Sequence, residues 1–473
     1  MEQAPSQSFS PNVPRILIAG SSSGVGKTSI TLALVVALAK RGMRVKTFKV
    51  GPDYLDPTYL ALASGRLCHN LDGWMMGKDY LIDLFSYTSG DADICIIEGV
   101  MGLFDGVNIS NLEGSSAQVS MWLNAPSLII VNAHGVGRTL AAVVKGLVEF
   151  EPGLPIGGIV ANFCGSDRHV KSIAEVLIQS NLPRLTGAIP RDVIPHIPRR
   201  HLGLVTADPE FMKREILDEL GRIAESYLDV DNIIGIAKSA GPVPVSHTPA
   251  RRYTNTGKSL KIGVAFDEAF HFYYQDNLET LEQCGFEIVR FSPIHDKIAL
   301  GSFHAIYLGG GYPEEHAAAL SENRDMLARI RSFAESGKPI YAECGGLMFL
   351  SQGIETLDGD RFGLVGLLPA WTRMKSRLRA LRYVEVTLNQ DSLFGRKGAV
   401  LRGHEFHYSE LLGDPWTNGG WAPAYTARRR GKEEPMLEGF QKGNLLISYV
   451  HAHFASQPGS VKRFAEICGS VNA

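Results

Sequence analysis

The stretch RILIAGSSSGVGKTSITLALVVALAKRG, residues 15–42, decides the fold. RILIAG (15–20) is a short apolar run ending in small residues, the pattern of a strand buried on both faces. TLALVVALAKRG (31–42) has the spacing of a helix that stops at Gly42. The Gly/Ser loop between them carries Gly24 and Gly26, which let backbone N–H groups close around phosphate oxygens, and the helix N-terminus favours an anion. Lys27 is placed to reach terminal phosphates, and the Thr28 hydroxyl to hold Mg²⁺. One position departs from G-x-x-x-x-G-K-[ST]: Ser21 stands six before Lys27, and the glycine lies one earlier, at Gly20.

Working outward, VKTFKV (45–50), ADICIIEGV (92–100), APSLIIVNA (125–133) and PIGGIVANF (155–163) repeat the short apolar run followed by a loop. Helical patterns lie between them, among them TLAAVVKGLVEF (139–150) and VKSIAEVLIQSN (170–181). Alternating strands and helices predict a doubly wound parallel sheet. Ligands of such sheets sit at the carboxyl ends of the strands. FKVGPDYLDP puts Lys49 and Asp53 there, and IIEGVMGLFDG puts Glu98 and Asp105 there. A carboxylate at that edge can share a magnesium ion with Thr28, and Lys49 can neutralise an anionic group.

At 473 residues the chain is too long for one ordinary domain. Residues 1–14 read as a disordered polar tail, and 236–259, rich in Pro, Ser, Thr and Gly, as a linker. A second α/β series follows: LKIGVAF (260–266), FEIVRFS (286–292), AIYLGGG (305–311) and KPIYAEC (338–344), with strand-like RYVEVTL and NLLISYV later. The expected fold class is α/β, two doubly wound domains over 15–235 and 260–473. A formal charge of −2 gives no reason to expect nucleic acid or an anionic membrane surface as partner, and no run approaches a membrane span. Six cysteines without a C-x-x-C pair are neither a disulfide framework nor a metal site, and the N-terminus lacks a secretory pattern. A cytoplasmic location is expected.

In YAECGGLMFL (341–350) one cysteine stands at the junction of a strand and a helix with two glycines beside it. A buried structural cysteine needs no glycines; a nucleophile on a sharp turn does. The helix that follows is expected to lower the thiol pKa. LGGGYPE (308–314) offers Gly310 and Gly311 as oxyanion donors, and SYVHAHF (448–454) offers His451 as base, with His453 two positions on.

GSSSGVGKTS, FKVGPDYLDPTY, CHNLDGWM (68–75), IIEGVMGLFDG, ANFCGSDRH (161–169), AIPRD (188–192) and RRHLGLVTA (199–207) together resemble the synthetase half of the cobyrinic acid a,c-diamide synthase family. That half is similar to dethiobiotin synthetase, a P-loop NTPase fold. The order GGG, ECGG, YVHAHF resembles a class I glutamine amidotransferase domain. The resemblance implies that ATP phosphorylates a corrinoid carboxylate and that ammonia from glutamine displaces the phosphate. It implies Thr28, Asp53 and Glu98 as Mg²⁺ ligands, Lys27 and Lys49 as phosphate-side cations and Asn162 as the adenine reader. Tyr54 and Asp105 fall in segments near the substrate. Cys344 and His451 would be the glutaminase pair. Most class I domains carry His-x-Glu; here the third position is His453, so the group orienting the base is left open. Glu405 and His407, in RGHEFHYSE, are candidates for supporting the base or forming a domain interface.

Ni-sirohydrochlorin and hydrogenobyrinic acid diamide synthases share nearly every motif, and cobyric acid synthase shares the domain order. A P-loop switch ATPase of the partitioning type is the non-enzyme alternative. It would carry a lysine where this chain has Ser22. A homodimer is one expected assembly.

Overall fold

The computed structural model describes residues 12–195, 199–200, 203–204, 214–244, 260–417, 419–429 and 434–471. The chain divides into two compact units, Met1–Ala250 and Arg251–Ala473. Most of the expected tail, and residues 245–259 of the expected linker, lie outside the described residues. Residues 236–238 belong instead to a helix, Val230–Lys238, whose Ile233 and Ala237 are buried in the first unit's core.

In the first unit the elements are β1 (Arg15–Gly20), α1 (Lys27–Lys40), β2 (Val45–Val50), α2 (Asp56–Ser64), β3 (His69–Leu71), β4 (Ile94–Gly102), β5 (Ser127–Asn132), β6 (Ile156–Cys164) and β7 (Leu185–Pro190), with further helices between. A short antiparallel pair, β8 (Arg199–Arg200) and β9 (Gly203–Leu204), follows. The main sheet runs β3-β2-β4-β1-β5-β6-β7, all parallel. β1 is buried along its whole length, as its unbroken apolar run predicts. α1 begins at Lys27, four residues before the apolar period starts, because Gly26 takes the left-handed φ of 91° that turns the loop into the helix. Every residue from Ile30 to Leu38 is buried, so α1 is covered all round. Since β1 and β2 both pair with β4, their carboxyl ends meet; Lys49 lies in register with Glu98.

The second unit contains β10 (Leu260–Ala265), β11 (Phe286–Phe291), β12 (Ala305–Leu308), β13 (Ile340–Glu343), β14 (Ser351–Glu355), β15 (Arg361–Gly363), β16 (Leu368–Met374), β17 (Ala380–Leu388), β18 (Val400–His407), β19 (Ser409–Leu412), β20 (Ala422–Arg429), β21 (Met436–Lys442), β22 (Leu445–Ser448) and β23 (Val450–His453). Ten of these form one sheet in the order β11-β10-β12-β13-β22-β21-β20-β17-β18-β23. Its β11-β10-β12-β13-β22 half is parallel and the rest antiparallel. NLLISYV reads as one strand in sequence, but the chain breaks at Tyr449. Glu438 accepts the Ser448 hydroxyl at 2.6 Å and the Tyr449 N–H at 2.9 Å, fixing the corner. β22 sits mid-sheet and β23 at its end with one residue between them, so the sheet curls back on itself. That curl carries His451 to β13, whose last residue precedes Cys344.

Candidate active sites

The first site lies at the carboxyl ends of β1, β2 and β4. Gly24 (φ 81°) has no neighbour within 4 Å of where a Cβ would project, as an open phosphate cradle requires. A Cβ on Gly26 would lie 2.3 Å from Asn162 Nδ2. Asn162 Nδ2 donates to the Val25 carbonyl at 2.9 Å, and Oδ1 accepts the Phe163 N–H at 2.9 Å, so this buried amide braces the loop. Lys27 Nζ donates to the Met101 carbonyl at 2.7 Å, and Met101 has a φ of 45°. Burial and the neighbouring Lys49 hold Lys27 below its usual pKa.

Below the loop is a buried charge cluster. Lys49 Nζ is 2.5 Å from Asp56 Oδ2 and 2.8 Å from Glu98 Oε1, and it donates to the Gly99 carbonyl at 3.2 Å. Thr28 Oγ1 donates to Glu98 Oε1 at 2.7 Å and stands 3.4 Å from Asp56 Oδ2. Burial pulls Lys49 down, but Asp56 and Glu98 outweigh it and hold the ammonium well above its ordinary value. Glu98 is pushed up to about 7, burial outweighing Lys49. Asp56 stays below the usual carboxylate range: burial raises it, and Lys49 more than offsets that. Glu98 Oε2 is buried with no hydrogen-bond partner among the described residues.

The structure brings Thr28, Lys49 and Glu98 together as the sequence placed them. Asp53, also named there, adjoins this cluster and acts electrostatically on Lys49 and Asp56, while its Oδ1 accepts the N–H groups of Leu55 and Asp56 at 2.8 and 3.0 Å, pinning the start of α2. Burial and the nearby Asp56 raise it to about 6. Asp56, which sequence reasoning missed, is the carboxylate that faces Thr28 and Lys49. The signal was present in D-x-x-D-P, because Pro after Asp56 marks a helix start and so turns the second aspartate back toward the sheet edge. Tyr54 is buried nearby in sequence. Asp105 is exposed, its Oδ2 accepting the Gly102 N–H at 2.9 Å. The segment 68–75 contributes β3 and a short helix capped by the Asp72 carboxylate, which accepts the N–H groups of Trp74 and Met75.

The second site is built around Cys344. It is 6% exposed, with φ 47° and ψ −96°, a backbone conformation costing about 1–3 kcal/mol in a non-glycine residue. The glycines explain how the turn closes. A Cβ on Gly346 would lie 2.3 Å from the Leu308 carbonyl oxygen, and one on Gly345 would lie 3.1 Å from Gly311 N. A Cβ on Gly310 would lie 2.5 Å from His451 Cε1. The loop after β12 therefore touches both the cysteine turn and the imidazole. Cys344 Sγ points at the Phe406 carbonyl, 3.5 Å away on β18, and β18 pairs His404 with His451 on β23. Glu405 is buried between Arg382 (3.0 Å) and Arg429 (2.7 Å), and His407 Nδ1 donates to the Ser409 carbonyl, 2.8 Å away.

The thiol differs from expectation. The Gly345 N–H lowers its pKa, as a helix start should, yet burial and the carboxyls of Glu314 and Glu343 raise it far more. The helix has only six residues, Gly345–Leu350, and its dipole loses to desolvation.

A nucleotide-binding unit joined to a cysteine-elbow unit defines a glutamine-dependent ligase, and the comparisons agree with that class. A CobQ/CobB/MinD/ParA nucleotide binding domain matches residues 16–205, and a CobB/CobQ-like glutamine amidotransferase domain matches 261–459. The chain is 50% identical over 455 residues to a cobyrinate a,c-diamide synthase of Syntrophotalea carbinolica, covering 96% of this chain and 98% of that one. It is 43% identical to one from Leptospira interrogans (96% and 98% covered) and 38% identical to one from Salmonella typhimurium (93% and 95%). Among solved structures, a glutamine amidotransferase aligns with a TM-score of 0.33 at 18% identity, covering 44% of this chain and 98% of that one. The chain belongs to the cobyrinate a,c-diamide synthase family, ligases that form C–N bonds with glutamine as amido donor. Among the described residues no helix is long and apolar enough to cross a membrane.

Proposed function

We propose that this protein amidates the a- and c-acetate carboxylates of cobyrinic acid, using ATP and glutamine. The supporting observation is the coexistence in one chain of a phosphate loop over the buried Lys49–Glu98 pair and a strained cysteine turn that His451 approaches.

Residues 15–235 act as the synthetase. Loop N–H groups and Lys27 hold the phosphates of ATP, Lys27 leaving the Met101 carbonyl to do so. A substrate carboxylate attacks the γ-phosphorus, and ADP leaves an acyl phosphate behind. Lys49 stabilises charge on the transferring group. Thr28 and Glu98, with Asp56 or Asp53, would hold Mg²⁺; when bound, it neutralises phosphate charge. The buried Glu98 Oε2, without a hydrogen-bond partner among the described residues, fits a cation ligand. Asn162 lies on the strand end beside the loop, suited to the adenine side. Tyr54 and Asp105 are assigned to the corrinoid side.

Residues 260–473 act as the glutaminase. His451 takes the Cys344 proton, and the thiolate attacks the side-chain amide of glutamine. N–H groups of Gly310 and Gly311 stabilise the oxyanion. Ammonia leaves with the proton from His451, and water then cleaves the thioester to glutamate. The ammonia attacks the acyl phosphate; phosphate departs and the amide forms.

The test is mass spectrometry of cobyrinic acid, hydrogenobyrinic acid and Ni-sirohydrochlorin, each incubated with enzyme, Mg-ATP and glutamine. Two amides gained on cobyrinic acid support the proposal; two gained only on another tetrapyrrole overturn the substrate. Cys344→Ala should abolish glutamine-driven synthesis and leave ammonium-driven synthesis. Loss of both, or of neither, would contradict the division of labour.

A further inference from the structure

We propose that Glu343, the residue immediately before the nucleophile, is the carboxylate that positions His451 in the glutaminase reaction, a role the missing His-x-Glu leaves open. This rests on Cys344 and His451 being the glutaminase pair. Glu343 Oε2 is 3.8 Å from His451 Nδ1, and both side chains are buried, at 2% and 1% exposure. The carboxylate is fixed from three directions. Tyr341 OH donates to Oε1 at 2.5 Å, the Ala452 N–H to Oε1 at 3.0 Å and Tyr307 OH to Oε2 at 2.9 Å. The Ala452 bond ties Glu343 to the backbone next to the base itself.

Three neutral donors hold the charge in place without cancelling it. Among the described residues the cation-capable group within 4.0 Å of this carboxylate is His451. A buried carboxylate beside an imidazole favours the imidazolium that forms when the thiol proton moves. His404 stacks on the ring, with centroids 4.9 Å apart and planes at 16°, and Tyr274 OH lies 2.9 Å from His404 Nδ1. Burial keeps His404 and His453 far below their ordinary pKa, so neither competes as a cation. His453 is engaged elsewhere: its Nδ1 accepts the Ala455 N–H at 3.3 Å, and its Nε2 lies 3.8 Å from Asp276. Glu314 and Glu405 act on the neighbouring Cys344 thiol, Glu405 being paired with two arginines, and His407, held well below its ordinary pKa by burial, also interacts with His451. The separation of 3.8 Å is an ion-pair distance. It shortens to a charge-assisted hydrogen bond once His451 is protonated, as resting active sites tighten along the reaction.

The test uses the full-length protein with Glu343→Gln, measuring glutamine hydrolysis against pH, ammonium-driven synthesis and thermal unfolding. The expected result is a kcat for glutamine hydrolysis lower by about 10²–10⁴-fold, the range for losing a triad carboxylate. KM should be little changed and ammonium-driven synthesis retained. Removing the charge leaves the protonated imidazole without its partner, so the acid limb of kcat/KM moves to lower pH. Tyr307→Phe serves where Glu343→Gln does not fold. It strips one donor from Oε2, makes the carboxylate a stronger partner for the imidazolium and moves the acid limb to higher pH. An unchanged kcat and acid limb in Glu343→Gln, or an unmoved limb in Tyr307→Phe, overturns the proposal. Cys344→Ala run in parallel separates this failure from failure of the pair itself, since only the latter leaves glutamine hydrolysis intact in that variant.

Discussion

Replacing Lys49 with Met removes the cation that, among the described residues, pairs with both Asp56 and Glu98 beneath the phosphate loop. Lys49 is 4% exposed and Glu98 0%, so water cannot take the lost partner's place. Breaking a buried pair by deleting one member costs about 3–5 kcal/mol, because a charge is left uncompensated. Spread over a unit of this size, each kcal/mol lowers Tm by roughly 2–4 °C, which gives a fall of roughly 6–20 °C. Part of the cost is avoidable, since Glu98 can take a proton instead of staying charged. With Lys49 present its folded pKa is already about 7, above the ordinary carboxyl value. A group raised in this way favours the folded state fully below its unfolded pKa and loses that contribution as pH rises through the folded value. Without Lys49 the folded value climbs further, so the deficit grows as pH rises through about 7. Differential scanning calorimetry measures this, the N-terminal transition being the one that Mg-ATP shifts in the wild type. Adding Glu98→Gln to Lys49→Met should return part of the lost stability, the coupling expected of contacting residues. A Tm within about 2 °C of wild type at pH 8, or a double variant no better than the single one, would refute the buried-cluster reasoning.

Asp56→Asn should reduce ATP-dependent turnover more steeply than Asp53→Asn, whereas Asp53→Asn should act mainly on stability by loosening the start of α2; parallel kinetics and melting curves separate the two. The Cys344 thiol is raised by burial and by Glu314 and Glu343, so site-resolved iodoacetamide labelling of the resting enzyme should be slower than that of free cysteine and should quicken as pH rises. Rapid labelling that is flat above about pH 6 would mean a resting thiolate. Gly310→Ala would put a methyl 2.5 Å from His451 Cε1, displacing the imidazole. Glutamine hydrolysis should collapse while ammonium-driven synthesis persists, and an active Gly310→Ala enzyme would place the imidazole elsewhere.

The sequence by itself determined both α/β units, the phosphate loop and the cysteine turn. Each is written in contiguous residues: an unbroken apolar run for a strand buried on both faces, then glycines where backbone must approach backbone, then a helical period. Tertiary structure alone decided what depends on direction and on distant partners. Asp53 and Asp56 are chemically equivalent in a string of letters; only the start of α2 sends the first into a turn and the second toward Thr28. The thiol's pKa is a balance between a short helix and burial, and burial is a property of the whole fold. Glu343 and Ala452 are 109 residues apart in the chain. They meet because β22 and β23, read as one strand, part at Tyr449 and occupy different places in a sheet that curls. Strand pairing of that kind is fixed by the packing of the complete unit, which no local pattern encodes.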